Sequence, residues 1–222
     1  MFRILLQLVL WTVLLGVLIF WPAGTLDYPG AWVLLALYAL GGLAMILWLS
    51  KRDPRLLRER MASPWQREQK SWDRVWLTLF VLAFLAWTAF MGFDAARTGF
   101  AAIPAWLQAV GALAILINGA GTWWTFRENS FAAPVVKIQK DQQVIDSGPY
   151  AIVRHPMYAS SLFLLIGIPL LLGSPLGLIL AVVFILGIAW RAVHEEQALG
   201  AELKGYDDYA KRVRWRLIPF VW

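Results

Sequence analysis

Long apolar stretches separated by short polar ones form the main pattern of this chain. Four of these stretches approach or exceed the roughly 20 apolar residues that a helix needs to cross a bilayer. They are about 4–22, 31–50, 75–93 and 103–125. A fifth, about 160–190, is too long for one ordinary span and contains the turn-forming sequence Gly173–Gly177. We predict that it folds as a tight hairpin of two shorter membrane helices.

The first stretch has two interpretations, because Arg3 precedes it as in a secretory signal. Its length and the lack of a convincing cleavage site near residues 21–24 favour a retained span. With that span included, the pattern predicts an all-α, polytopic membrane helical bundle. It consists of four long spans and a C-terminal helical hairpin, which makes five to six membrane helices in all.

The composition agrees with a membrane protein and excludes an ordinary soluble domain. Of the 222 residues, 60% are hydrophobic and 15% are charged, against about 45–50% and about 25% in soluble domains. The absence of cysteine excludes disulfides, thiolate nucleophiles and cysteine-based metal sites. Because the chain has only two histidines, we expect no metal centre.

The net charge of +6 would favour nucleic-acid binding if the basic residues formed one patch. Their distribution follows the predicted topology instead. All but Arg97 lie at the N-terminus, in the linkers 51–74 and 126–159, or in the tail from 191. By the positive-inside rule these segments are cytoplasmic and both termini lie inside. Both termini lie on the same side only if the chain crosses the membrane an even number of times, which requires the hairpin. The charge distribution predicts membrane lipids rather than nucleic acid as the partner.

Two cytoplasmic segments allow alternative interpretations. The basic linker 51–74 could contact anionic lipid headgroups or close over a site, although a solvated amphipathic linker is the simpler interpretation. The tail 202–219 predicts a short amphipathic helix followed by a basic and aromatic end. It is either a surface helix resting on the headgroups or a lid that covers a cofactor and supplies Arg214 or Arg216.

Residues 144–158 form the most informative polar motif. Gly148-Pro149 favours a turn, and Pro156 suits the first turn of the helix that follows. A helix N-terminus offers unpaired N–H groups and a partial positive charge, which suit an anionic ligand. The side chains gathered around it are Tyr150, Arg154, His155 and Tyr158. The alternative is a loop that anchors two spans, with tyrosines at the membrane interface.

A second polar motif, 191–196, follows the hairpin. Arg191 and Glu195 are four residues apart and could form an ion pair on a helix surface. Glu195 and Glu196 nevertheless follow an apolar helix directly, and carboxylates near membrane depth are functional candidates. Because the hairpin folds back, this motif and residues 154–158 must meet on the same cytoplasmic face.

In this order and spacing, the motifs resemble those of the isoprenylcysteine carboxyl methyltransferase family and its relatives among the membrane phospholipid methyltransferases. The resemblance covers roughly residues 140–222. The matching residues are Gly148-Pro149-Tyr150, Arg154-His155-Pro156-Met157-Tyr158, Pro169-Leu170, Glu195-Glu196, Leu203-Lys204-Gly205-Tyr206, Tyr209 and Arg214-Trp215-Arg216-Leu217-Ile218-Pro219. The first four spans carry no comparable motif.

The resemblance implies a membrane methyltransferase that uses S-adenosylmethionine, with a variable four-span region at 1–126 and a cofactor-binding catalytic region at 127–222. The residues that it assigns to the cofactor pocket are Tyr150, His155, Pro156, Tyr158, Glu195, Glu196, Tyr206 and Arg214. The chemistry of the cofactor agrees. Its sulfonium and ammonium favour carboxylates, its adenine favours aromatic faces, and its carboxylate suits an arginine or a helix N-terminus.

The resemblance also implies a lipophilic or small methyl acceptor, the lipophilic kind entering from the bilayer. Methyl transfer is an in-line displacement, so catalysis comes mainly from alignment of the reacting groups. A carboxylate acceptor is already nucleophilic, and Arg154 or Arg191 could orient it. An amine or thiol acceptor needs a base, for which Glu195, Glu196 and His155 are candidates.

Two other classes of function share parts of this pattern. Membrane sterol and steroid reductases, which use NADPH, have a similar Arg-His-Pro-x-Tyr element and tail, but the Gly-Pro-Tyr and Glu-Glu sequences here favour the methyltransferases. A transport component or scaffold would need ionisable residues or broken helices in the first four spans, which are almost free of charge. We expect a bacterial inner-membrane enzyme whose active site faces the cytoplasm.

Overall fold

The computed structural model describes residues 1–63, 65–66, 68–98 and 102–222. Over these residues the chain is 74% helical and contains no strand. A π-helical turn at Asp94–Thr98 extends the fourth helix, and a 3₁₀ turn at Gly148–Ala151 precedes the sixth. The helices are α1 (Phe2–Ala23), α2 (Pro29–Arg52), α3 (Pro54–Arg60), α4 (Ser71–Phe93), α5 (Ala105–Glu128), α6 (Pro156–Leu172), α7 (Pro175–Glu202) and α8 (Tyr206–Arg212).

The length and composition of the helices identify an integral membrane protein. Five of them, α1, α2, α4 with its extension, α5 and α7, are long and apolar enough to cross a membrane, and α6 is a shorter apolar helix of 17 residues. Large apolar side chains cover the outside of the bundle, among them Leu79 and Leu186, which are 62% and 64% exposed. The predicted all-α membrane bundle with five to six membrane helices is confirmed.

The hairpin predicted at 160–190 is present as α6 and α7, which are joined at Gly173. This glycine has a φ of 72°, in the left-handed region that other residues avoid. Ser174 then caps α7 by accepting a hydrogen bond from the N–H of Gly177 at 3.0 Å. The prediction of two shorter helices is wrong for α7, which has 28 residues. With no proline after its first turn, α7 continues beyond the end of the apolar stretch to Glu202.

The hairpin turn is fastened to the end of α4 by a buried carboxylate. Asp94 is 2% exposed, and its Oδ2 accepts hydrogen bonds from the hydroxyl of Ser174 at 2.6 Å and from the N–H of Leu176 at 3.1 Å. The carboxylate therefore satisfies backbone and side-chain donors at the start of α7. It fixes the end of the bundle that lies away from the motif 144–158.

Helix α6 packs closely against α5 at both of its ends. A side chain at Gly111 would bring its Cβ to 2.5 Å from the backbone nitrogen of Leu171, and one at Gly121 would clash with Oγ of Ser160. Small residues let two membrane helices approach in this way. The contact of Gly121 with Ser160 places the first turns of α6, and with them the end of the motif 144–158, against the last turns of α5.

Candidate active site

A cleft opens where α6 begins and α7 ends, at the opposite end of the bundle from the hairpin turn. It encloses about 810 Å³ including its mouth, and its walls come from the segment 129–145, the motif 150–158, the last turns of α7, and α8. The predicted site residues that line it are Tyr150, Arg154, His155, Pro156, Tyr158, Glu195 and Tyr206. The cleft thus brings the motif before α6 together with Glu195 of the motif after the hairpin.

The C-terminal tail holds the segment before α6 in place. The N–H groups of Arg154 and His155 donate to the carbonyls of Trp215 and Arg216 at 2.9 and 3.0 Å. α6 then begins at Pro156, a position where a helix has no use for a backbone donor. The tail is therefore part of the structure of the cleft and does not only rest beside it.

Helix α8 closes one side of the cleft with buried tyrosines. The hydroxyl of Tyr209 donates to the carbonyl of Tyr150 at 2.8 Å. Tyr206 is 6% exposed, and its hydroxyl is buried without a hydrogen-bond partner among the described residues. Burial raises the pKa of Tyr206 above its ordinary value, so the phenol is neutral near pH 7. A buried neutral donor that lines the cleft is thus available to a ligand.

Glu196 connects three cationic or polar side chains beside the cleft without lining it. Its two oxygens accept a bidentate pair of hydrogen bonds from Arg154, Nε at 2.6 Å and Nη2 at 3.1 Å. Arg216 donates from Nε at 2.9 Å, and Nε2 of His155 lies 3.2 Å away. Bidentate arginine–carboxylate pairs are directional. Glu196 therefore fixes Arg154 and His155, and its oxygens are committed to these partners.

Glu195 has fewer hydrogen-bond partners than Glu196. It lines the cleft, and its Oε2 accepts a hydrogen bond from the hydroxyl of Tyr158 at 2.5 Å. Within the described part of the chain, Oε1 has no hydrogen-bond partner. The carboxylate is three-quarters buried, with a side-chain exposure of 25%. Its negative charge therefore faces the cleft under weak solvent screening.

Aromatic rings complete the wall around Glu195. The rings of His155 and Tyr158 are stacked, with centroids 5.3 Å apart and an angle of 5° between their planes. The hydroxyl of Tyr150 accepts a hydrogen bond from Nδ2 of Asn129 at 2.7 Å. Burial raises the pKa of Tyr150, which keeps this phenol neutral as well. The cleft thus combines one carboxylate with aromatic faces and neutral hydroxyl groups.

The part of the chain that forms most of the cleft is similar to a known protein family. Residues 106–203 match the phospholipid methyltransferase family. The match runs from the start of α5 to just beyond α7, so it includes both polar motifs, and the resemblance to the membrane methyltransferases is confirmed. Together with the apolar helices, this match supports a methyltransferase that works in a membrane.

A curated protein similar to this chain is the nickel-cobalt-cadmium resistance protein NccN of Alcaligenes xylosoxydans xylosoxydans. The two are 29% identical over 111 residues, which are 50% of this chain and 49% of NccN. The chain therefore spans about half the length of the curated relative that it matches. Among the residues that the structure describes, no group of three or more His, Asp or Glu side chains could hold a metal ion.

Besides Glu196, two predicted site residues lie outside the cleft wall, Arg191 and Arg214. Arg191 is buried, and its Nε donates to Oδ1 of Asp73 at 2.8 Å, so the surface ion pair with Glu195 that the spacing allows is not formed. The carboxylate of Asp73 is fully buried, and opposite charges attract more strongly away from water. The side chain of Arg214 is exposed, and its carbonyl accepts a hydrogen bond from Nη1 of Arg154 at 3.1 Å.

The linker 51–74, for which the sequence allowed two interpretations, makes contacts with the cleft wall. Glu59 forms an ion pair with Lys137 at 2.8 Å, and Nη1 of Arg60 donates to the carbonyl of Ala132 at 3.3 Å. Burial lowers the pKa of Arg60 to about 10, so it remains a cation at pH 7. The linker thus packs against the segment 131–137 of the cleft wall and is not merely solvated. Arg67, one of its basic residues, lies outside the described residues.

The role of Asp73 and of the segment 131–137 was missed in the sequence. Asp73 occupies the first turn of α4 and is 0% exposed. One signal could have identified it, because a carboxylate at the start of an apolar span is costly to bury and is rarely placed there without a partner. Its partner Arg191 lies 118 residues further along the chain. Nothing in the sequence indicates that these two residues form a pair.

Proposed function

We propose that this protein is a membrane methyltransferase that uses S-adenosylmethionine and binds it in the cleft between α6, α7 and α8. The observation that carries the proposal is the carboxylate of Glu195, which lines the cleft with only one oxygen engaged. A sulfonium and an ammonium group need a negative partner. A three-quarters buried carboxylate attracts such cations more strongly than an exposed one does.

The other groups of the cleft fit the rest of the cofactor. Polar and aromatic side chains converge in the cleft, as they do in small-molecule sites. Aromatic faces such as that of Tyr150 suit an adenine, and the unpaired hydroxyl of Tyr206 suits a polar atom of the ligand. The amides of Asn129 and Gln142 also line the cleft. Their oxygens already accept backbone N–H groups, so their remaining NH₂ hydrogens would be what they offer a nucleoside.

The residues of the chain then divide between binding and support. The bound cofactor would supply an electrophilic methyl group to the acceptor. Glu195 would hold the cationic part of the cofactor in register, which is the alignment that an in-line displacement requires. Glu196 would act behind it, by keeping Arg154 and His155 in fixed orientations.

The choice of acceptor decides which further residue takes part in the reaction. A carboxylate acceptor would be oriented best by Arg154, which lines the cleft, whereas Arg191 lies behind the wall and is paired with Asp73. An amine or thiol acceptor must lose a proton, and Glu195 and His155 are the candidate bases that line the cleft. Glu196 is a poorer candidate because arginines hold both of its oxygens.

We infer that the acceptor is lipophilic or small and that the cleft faces the cytoplasm of a bacterial cell from its inner membrane. The segments rich in lysine and arginine, 51–74, 126–159 and the tail, lie at the cleft end of the helices, which supports this orientation. S-adenosylmethionine would enter from the cytoplasm. A lipophilic acceptor would enter from the bilayer, with the region 1–126 shaping its path.

Ligand-dependent thermal stability of the purified protein in detergent tests the choice of cofactor. S-adenosylhomocysteine should raise the unfolding temperature, because a ligand that binds only the folded state stabilises it by about 2.7 kcal/mol at 100 times its Kd. NADPH at the same concentration should have no effect. The reverse pattern would assign the cleft to a reductase and overturn the proposal. Replacing His155 with Ala should remove the stabilisation and leave membrane insertion intact.

A further inference from the structure

A buried ion pair behind the cleft joins the first half of the chain to the methyltransferase domain. The carboxylate of Asp73, at the start of α4, is fully buried. Its Oδ1 accepts a hydrogen bond from Nε of Arg191 at 2.8 Å. Its Oδ2 accepts from Nε2 of Gln69 at 2.9 Å and from the N–H of Val136 at 2.8 Å. One carboxylate thus connects the linker 51–74, the cleft wall and α7.

The partner of Asp73 makes further contacts of the same kind. Nη2 of Arg191 donates to the carbonyl of Pro134 at 2.9 Å, so both ends of the ion pair hold the segment 131–137. The guanidinium carbon also lies 4.9 Å from the ring centre of Trp76 and 5.6 Å from that of Tyr158. A guanidinium on an aromatic face restrains both groups. Arg191 is therefore held between α4, the cleft wall and the start of α6.

Two residues, Arg191 and Tyr158, connect Asp73 with Glu195 in the cleft. Arg191 restrains the ring of Tyr158, and the hydroxyl of Tyr158 donates to Glu195 at 2.5 Å. Asp73 itself does not line the cleft. Removing its charge would leave Arg191 without its buried carboxylate partner and release the segment 131–137. The effect on Glu195 would be transmitted by displacement of these groups.

We propose that Asp73 is a positioning residue: it fixes Arg191 and the segment 131–137 so that Tyr158 and Glu195 face the bound cofactor. This inference rests on the proposed function, because it assumes that the cleft binds S-adenosylmethionine. Removing one partner of a buried ion pair leaves the other charge unpaired and destabilises the fold, so Asp73→Asn should lower the thermal stability as well. The inference concerns the affinity of the variant that is still folded, because Arg191 and the segment 131–137 lose the group that orients them.

The chain offers a matched control at the other end of α4. Asp94 is also a buried carboxylate with several donors, but it fastens the hairpin turn, away from the cleft. Asp73→Asn and Asp94→Asn each remove one buried carboxylate charge from an end of α4, but only Asp73 is paired with an arginine near the cleft. A general loss of packing would act alike in both variants, whereas a positioning role would act only in the first.

Binding of S-adenosylhomocysteine by calorimetry, at a temperature where every variant is folded, tests the inference. Asp73→Asn should raise the Kd by about 10- to 100-fold, as expected when groups in the cleft are misplaced by about 1 Å, while Asp94→Asn should leave the Kd unchanged. An unchanged Kd for Asp73→Asn, or equal losses in both variants, would overturn the inference. If wild-type protein does not bind S-adenosylhomocysteine, the proposed function itself fails, which is a separate result.

A second variant keeps the test decisive if Asp73→Asn does not fold. Arg191→Lys retains the charge pair but lacks the planar group that reaches both Asp73 and the carbonyl of Pro134. It should show a loss of affinity similar to that of Asp73→Asn, with the thermal stability largely kept. Where the double variant can also be made, its loss should equal that of either single change, since the two residues act as one unit. Wild-type affinity in Arg191→Lys would overturn the inference.

Discussion

Replacing Glu195 with Gln should lower methyl transfer by about 100-fold or more, the scale found when one electrostatic group of an active site is lost, and should leave the fold intact. The change is nearly isosteric, and the hydroxyl of Tyr158 can still donate to the amide oxygen. What disappears is the negative charge that faces the cleft. The measurement is the rate of methyl transfer together with the Kd for S-adenosylhomocysteine.

The control for this prediction is Glu202→Gln at the end of the same helix. Glu202 is exposed and pairs with Lys70 outside the cleft, so its replacement should leave both the rate and the Kd near their wild-type values. Equal effects of the two changes, or a wild-type rate in Glu195→Gln, would contradict the role assigned to Glu195.

Replacing Glu196 with Ala should have the largest effect on the structure. The change leaves the buried guanidinium of Arg154 without a carboxylate and frees Arg216 and His155. Breaking a buried ion pair by removing one partner costs about 3–5 kcal/mol. We therefore expect a lower unfolding temperature together with loss of S-adenosylhomocysteine binding, because the segment before α6 loses its anchor.

Thermal unfolding with and without ligand separates Glu196 from Glu195. Glu196→Ala should unfold earlier than wild type even without ligand, whereas Glu195→Gln should unfold at the wild-type temperature and lose only the shift caused by ligand. If Glu196→Ala had wild-type thermal stability and Glu195→Gln were unstable, the roles of the two residues would be the opposite of those inferred.

The bundle and its hairpin could be predicted because their signals are local in the sequence. Apolar length predicts a span, and the turn residues around Gly173 interrupt the last apolar stretch where α6 and α7 meet. The length of α7 could not be read in the same way. The apolar stretch ends near residue 190, but no helix-breaking proline follows it and α7 continues to Glu202.

The site could be predicted as a set of residues but not as a set of contacts. The turn of the hairpin requires the motifs 144–158 and 191–196 to meet, and most of the predicted side chains line one cleft. Glu195 and Glu196 are adjacent, so which of them faces the cleft depends on the rotation of α7 about its axis against α6. No local pattern sets that rotation, since it follows from packing of the whole bundle.

The pairing of Arg191 with Asp73 could not be predicted from the sequence either, because it also depends on how the bundle packs. The spacing to Glu195 suggests a local ion pair, and only the fold shows that Asp73 lies closer and fully buried. Residues 1–105 lie outside the family match, yet Glu59, Arg60 and Asp73 among them reach the cleft wall. A motif search cannot find such contacts, because they depend on the positions of the residues in space and not on their order in the sequence.

Transfer of a labelled methyl group from S-adenosylmethionine tests the central claim most directly. Purified protein in detergent would be offered a lipid extract, a prenylcysteine analogue and a panel of small thiols, with Glu195→Gln as the inactive control. We predict labelled product from at least one acceptor class with wild-type protein and almost none with the variant. No labelled product from any acceptor, or equal labelling by the wild type and Glu195→Gln, would contradict the account.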